Sequence, residues 1–180
     1  MIYRSIRLLL ALAVIATLGA CASGVTRMDS AAAPGAPASA AVSSGPVKSV
    51  SLALSEDAKK LVADNATFNP DALRTTIERV LQAQNLVKSD APQTLDVEVT
   101  SFRVRSSFSA VMFGFMAGSD NVEGVVTIKD AEGRVIKRAL VKASYALGGL
   151  GGGQDDARMN WLYEEFAKHA LAEVTGQPAK

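Results

Sequence analysis

The chain has 180 residues, with 19 Lys and Arg against 18 Asp and Glu for a formal net charge of +1, and no basic run concentrates that charge. This balance argues against a nucleic-acid partner. One histidine and one cysteine leave too few nitrogen and sulfur donors for a zinc site and no second thiol for a disulfide, so the fold must rest on its apolar core.

In chain order, the first segment reads as an export signal. Arg4 and Arg7 precede an apolar run from Leu8 to Thr17, shorter than the roughly 20 residues that span a bilayer, and small residues follow where a peptidase needs access. The stretch Leu18-Gly19-Ala20-Cys21 resembles the lipobox of bacterial lipoproteins. The resemblance implies that residues 1–20 are removed and that Cys21 becomes an acylated N-terminus. Its position and flanks favour this over a buried cysteine in an uncleaved anchor. Two or three acyl chains anchor stably where one binds only marginally. In lipoprotein sorting an Asp after the cysteine favours the inner membrane, so Ala22 points to the outer membrane, with the domain in the periplasm.

Residues 21–46 are expected to form the acylated cysteine and a disordered tether. Of the 25 residues after Cys21, 19 are Ala, Ser, Gly or Pro, and only Arg27 and Asp29 are charged. Such a segment lacks the apolar side chains that offset ordering entropy. As a flexible coil it would hold a single domain, residues 47–180, roughly 25–30 Å from the anchor.

Within that domain, Val50, Leu52 and Leu54 alternate with Ser49, Ser51 and Ala53, which predicts a strand over Val47 to Leu54. Ser55 can cap a short helix from Glu56 to Asp64. Asn69, Pro70 and Asp71 then supply an N-cap, a first-turn proline and an acid suited to the helix dipole. Phe68 and Leu73 stand at staple spacing, and Leu73, Ile77, Val80, Leu81 and Leu86 form one apolar stripe. Thr94 to Arg105 is extended, but its phase shifts from Leu95, Val97 and Val99 to Phe102 and Val104, which predicts a bulge or bend. Asn121 to Tyr145 predicts a hairpin turning at Asp130-Ala131-Glu132-Gly133. After a glycine run, Gly148 to Gly153, a last helix is expected from about Asp155 to Val174, with Met159, Leu162, Tyr163, Phe166, Ala170 and Val174 on one side. The expected fold is an α/β two-layer sandwich of the α+β type. About four strands form a mixed sheet, with two or three helices on one face and the first strand returning in parallel.

Catalysis finds little support in this pattern. His169 has no nucleophile-elbow companion and reads as a helix-surface or boundary residue. Asp155 with Asp156, and Glu164 with Glu165, are sequence neighbours, which on a helix do not face each other; capping is the simpler role for the first pair. The glycine run lacks the Lys-Ser/Thr ending of a phosphate loop, and the two aspartates would repel a phosphate. No catalytic, metal-binding or cofactor-binding residue is expected.

Phe108 to Gly118 stands out, with three of the six phenylalanines and no charge between Arg105 and Asp120. One reading is a strand end or short helix of the core, since Phe108, Met112, Phe115 and Met116 fit helical spacing. The other is an exposed apolar segment that docks on a partner, a second copy or the bilayer surface. In that case the contact residues are Phe108, Val111, Met112, Phe113, Phe115 and Met116.

The lipobox, the tether and the stretch Val-Glu-Gly-Val-Val-Thr-Ile-Lys-Asp-Ala-Glu-Gly-Arg-Val (Val122 to Val135), followed by a glycine-rich loop and a helix, resemble a proteobacterial lipoprotein family of unknown function. The resemblance covers most of Val47 to Gly176. It implies a small α/β domain like those of envelope accessory lipoproteins: activators of peptidoglycan synthases, curli secretion factors and transport auxiliaries. It carries over no catalytic residue, and fold analogy does not choose among these roles. The expectation is a non-catalytic, membrane-anchored binding or scaffold module, with an envelope protein or a second copy as partner. The alternative is a transport auxiliary holding a lipid or small apolar ligand, which predicts an enclosed pocket with Met112 and Met116 turned inward.

Overall fold

Side-chain caps set the first two helices where the sequence places them. Ser55 Oγ accepts from the Ala58 N–H at 3.2 Å and opens α1, Glu56–Asp64. Asn69 Oδ1 accepts from the Ala72 N–H at 3.0 Å and opens α2, Pro70–Ala83, with Pro70 in its first turn. The computed structural model describes residues 23–28, 45–65, 67–113, 116, 118–146 and 154–179. The expected signal, Cys21, most of the expected tether, Phe115 and the glycine run lie outside the described residues.

The described strands are β1 (Gly24–Arg27), β2 (Val47–Leu54), β3 (Gln93–Arg103), β4 (Asp120–Lys129) and β5 (Val135–Tyr145). They form one mixed sheet in the order β1-β5-β4-β3-β2, with β2 parallel to β3 and the other pairs antiparallel. The sheet therefore has five strands rather than four. The extra one, β1, comes from the segment expected to be disordered, which corrects that part of the expectation. Composition misjudged it because its order comes from a distant partner. Gly24 to Arg27 pair with Lys142 to Ala139, the Ser144 N–H donates to Ser23 Oγ at 2.9 Å, and the Met28 N–H donates to the Arg138 carbonyl at 2.9 Å.

A short helix, α3 (Ser107–Phe113), joins β3 to β4, and a long one, α4 (Asp155–Thr175), follows β5. Helices α2 and α4 pack on each other and against one face of the sheet, while α1 packs on β2 and β3. The buried side chains of that face alternate along each strand: Leu95, Val97 and Val99; Val122, Val126 and Ile128; Ala139, Val141 and Ala143. Against them lie Leu73, Ile77 and Leu81 of α2 and Leu162, Phe166 and Ala170 of α4, as the stripes predict. Phe68 stacks on Phe102 with ring centroids 4.2 Å apart, and the Asn69 N–H donates to Tyr163 Oη at 2.8 Å. Gly124 is required where it stands, because a Cβ there would lie 2.9 Å from the Glu98 carbonyl oxygen and 3.2 Å from the Phe166 ring. The opposite face is solvated and carries the ion pairs Lys129–Asp96 and Lys142–Glu123, each at 2.6 Å.

The expected irregularities occur. The β3–β4 register shifts between Val99 and Ser101. Ser55 docks on this bulge, its N–H donating to the Val99 carbonyl at 3.0 Å and its hydroxyl to the Thr100 carbonyl at 3.2 Å. In the β4–β5 turn the Gly133 N–H donates to the Asp130 carbonyl at 3.0 Å, with Gly133 at φ +81°. A register shift follows, as in a type I turn closed by a glycine bulge.

This topology gives the sheet two unlike ends. The end of β3, the start of β4, the end of β5 and the start of β1 share one end, and α3 crosses it. The Asp130–Gly133 turn marks the other, roughly 30 Å away along the ten-residue β4.

Candidate functional site

Helix α3 begins with local bonds. Ser106 Oγ accepts from the Ser109 N–H at 3.2 Å, and the Ser106 carbonyl accepts from the Ala110 N–H at 2.9 Å. Ala110, fully buried, faces the body of the protein. The large side chains turn the other way: Phe108 is 67% exposed, Met112 64%, Phe113 56% and Met116 80%. Val111 is partly buried. The Phe108 and Phe113 rings meet edge to face at 6.2 Å, which holds them as one apolar surface. The segment is thus a short helix, as the core reading had it, but its apolar side chains stand in solvent, as the docking reading had it. The transport alternative turns Met112 and Met116 inward; both stand at the surface.

Beneath α3 lies a cluster of charges that sequence reasoning missed. Asp120, at the start of β4, is fully buried. It accepts from the Arg105 N–H at 2.7 Å, from Arg105 Nη2 at 2.8 Å, and from Arg158 Nη1 at 3.0 and 2.9 Å on its two oxygens. Arg158, also fully buried, donates through Nη2 to the Arg105 carbonyl at 3.0 Å and to Asp155. Arg105 reaches on to the Gly118 carbonyl at 2.9 Å and the Tyr145 carbonyl at 3.4 Å. Asp155 accepts from the Ser107 hydroxyl at 2.7 Å. Burial raises the Asp155 carboxyl, but the Ser107 hydroxyl and the Arg158 guanidinium outweigh burial and hold it below the usual carboxylate range. Asp155 is therefore a link between α3 and α4 rather than the helix cap expected of it; the cap position is Gln154, which makes no side-chain bond.

The arrangement ties the start of α3 to α4 and to the start of β4. Arg105 and Ser107 precede or open it, Gly118 and Asp120 follow it, and all four join the same ionic base. Two guanidiniums and two carboxylates balance in charge, and nearly every polar atom of Asp120 is used. The base lies directly beneath the start of α3.

His169 is more buried than a helix-surface residue. Neither ring nitrogen has a hydrogen-bond partner, and the nearest carboxylate, Glu165, is 3.6 Å away. Burial pushes its pKa down, with Lys168 adding to that and Glu165 and Glu173 opposing it. A second buried pair lies nearby, Lys137 of β5 with Glu173 of α4 at 2.7 Å, and Arg27 of β1 approaches the same carboxylate at 3.6 Å. Among the described residues no helix is long and apolar enough to cross a membrane.

Fold and site together define a two-layer α/β domain with five described strands and an apolar helix held at one end of the sheet. The chain belongs to a family known as a domain of unknown function, DUF4410, whose model matches residues 22–149. No curated protein matches the sequence. Among solved structures the chain is similar to a PelC dodecamer from Paraburkholderia phytofirmans, with 12% identity over 86% of this chain and 98% of that one and a TM-score of 0.44. It is also similar to a minor lipoprotein from Acinetobacter baumannii, with 13% identity over 72% and 93% and a TM-score of 0.40.

Proposed function

We propose that the protein is a lipid-anchored module of the bacterial cell envelope that binds another envelope component without catalysis. The observation that supports this reading is the exposed apolar group Phe108, Met112, Phe113 and Met116. Single exposed apolar residues need no explanation, but a contiguous group of large ones marks a contact surface. Here Phe108, Met112 and Phe113 sit on a helix that begins two residues after Arg105, whose guanidinium is held in a buried ion pair with Asp120. Cys21 is the acylated residue, and Ala22 after it favours the outer membrane, with the domain on the periplasmic side.

The test is in-cell photocrosslinking. A photoreactive residue replaces Phe113, with a control at Glu132, exposed in the turn at the opposite end of the sheet. Adducts to protein or lipid at Phe113 alone support the reading. Equal yields at both positions, or none at Phe113, overturn it. In the same cells Cys21→Ser should release the chain from the membrane fraction, and unchanged partitioning would remove the anchor from the proposal.

A further inference from the structure

We infer that the surface of α3 is occupied by the phospholipid leaflet that holds the chain's own anchor, so that α3 lies in the membrane interface and sets the orientation of the domain. The inference rests on the acylation of Cys21 proposed above, and names the component that the same surface contacts.

The argument begins with chain length. Ser23 is fixed to the body of the protein: its hydroxyl accepts from the Ser144 N–H at 2.9 Å, one residue before the end of β5. Cys21 is two residues earlier, and two residues of extended chain reach about 7 Å at most. No tether therefore separates the acylated residue from the sheet. The Ala- and Pro-rich residues 29–44 come after β1 and connect it to β2, at the opposite edge of the sheet. The acyl chains must leave the molecule beside Ser144, and Ser144 pairs with Asn121 while Tyr145 pairs with Asp120. Asp120 holds Arg105, two residues before α3, by its N–H and its guanidinium. The anchor and the apolar helix thus share one end of the sheet.

The chemistry of that end suits a bilayer interface. From Ser106 to Ser119 the sequence carries no charge. Trp161, 39% exposed, packs against Tyr145 at a centroid distance of 5.1 Å, and such aromatic residues favour the headgroup level. Charge lies beside α3 rather than on it: exposed Arg103 donates to the Ser119 carbonyl at 3.2 Å, and Asp64 and Asp155 line a depression with Ser106 and Ser107. The charged first turn of α1, after Ser55, sits back along the sheet at the level of Val99. The far turn carries Asp130, Glu132 and Arg134, roughly 30 Å from α3. Acyl chains already supply the affinity. What α3 adds is a second point of contact on a rigid base, and two points fix a tilt that one cannot.

The experiment reads orientation, not attachment. The full mature acylated chain is reconstituted in vesicles of phosphatidylethanolamine and phosphatidylglycerol. A nitroxide is placed through Met112→Cys, or through Glu132→Cys, the only native cysteine being the lipidated one. Collision with oxygen is compared with collision with a water-soluble nickel chelate. The expected result is oxygen access with nickel exclusion at 112, and the reverse at 132. Nickel access at 112 equal to that at 132, in a chain whose mass shows the acyl group, would overturn the inference and leave the anchor standing. Nickel exclusion at 112 with spin–spin broadening between labels would give the surface to a second copy, and overturn it too. A mature mass without the acyl group would overturn the anchor and the orientation together.

Discussion

Replacing Asp120 by alanine tests the ionic base most directly. The carboxylate is fully buried and takes four hydrogen bonds, from the Arg105 N–H, Arg105 Nη2 and twice from Arg158 Nη1. Without it, two guanidiniums that are 0–1% exposed lose the carboxylate they share, and Arg158 keeps the partly exposed Asp155. Removing one partner from such a buried group costs about 3–5 kcal/mol. With a urea slope of about 2 kcal/mol/M, a loss of about 4 kcal/mol lowers the unfolding midpoint by about 2 M. Urea titration followed by Trp161 fluorescence and far-ultraviolet circular dichroism reads this shift. Hydrogen exchange then locates it: amides of Ser107–Phe113 should lose protection before those of Pro70–Ala83. The companion variant, Arg105→Met with Asp120→Leu and Arg158→Met, strands no fully buried charge, since Asp155 is partly exposed, and should cost less than Asp120→Ala alone. A loss below about 1 kcal/mol for Asp120→Ala, the scale of an exposed pair, would refute the reasoning.

Two further outcomes follow from the packing. Gly124→Ala sets a Cβ against the Glu98 carbonyl, the Val99 Cα and the Phe166 ring, and should lower stability by about 1–3 kcal/mol, read as a fall in melting temperature; an unchanged melting temperature would mean that α4 is not pressed on the sheet there. His169 is held neutral by burial, with Glu165, Lys168 and Glu173 around it on α4 and Arg27 of β1 lining the same depression. Its folded pKa lies below the ordinary 6.5, so the unfolded chain takes up the proton first. The stability that His169 contributes is complete above 6.5 and is lost as pH falls through the lower, folded value. His169→Leu should flatten the dependence of the urea midpoint on pH between about 7.5 and 5.5, and an unaltered slope would assign that dependence to other groups.

The parts of the fold legible in the sequence are those fixed by neighbours in the chain. Asn69, Pro70 and the Phe68–Leu73 spacing specify α2 within a few residues, and Asp130 with Gly133 specifies the hairpin turn in the same way. The bulge in β3 showed as a break in alternation, and the parallel return of β2 followed from the helices that separate it from β3. What was not legible depends on partners far away. β1 has four residues of unremarkable composition, and its order comes from β5, more than 100 residues later. No local pattern announces such a strand.

The candidate site was half legible, and the missing half has a physical reason. Hydrophobic patterning identifies what is apolar, not which side faces out. In α3 small Ala110 turns inward, while large Phe108 and Met112 turn outward, an inversion of the usual rule. The signal that would have exposed the site was charge at core phase. Asp120 falls in step with Val122, Val126 and Ile128, and Arg158 falls in step with Leu162 and Phe166. Lys137 and Glu173 break their stripes in the same manner and meet each other. A charge at an inward position costs too much to leave unpaired, so two such positions at matching ends of neighbouring elements predict a buried pair. At Asp120 and Arg158 that pair lies at the end of the sheet that carries α3, beneath the exposed side chains of Phe108 and Met112.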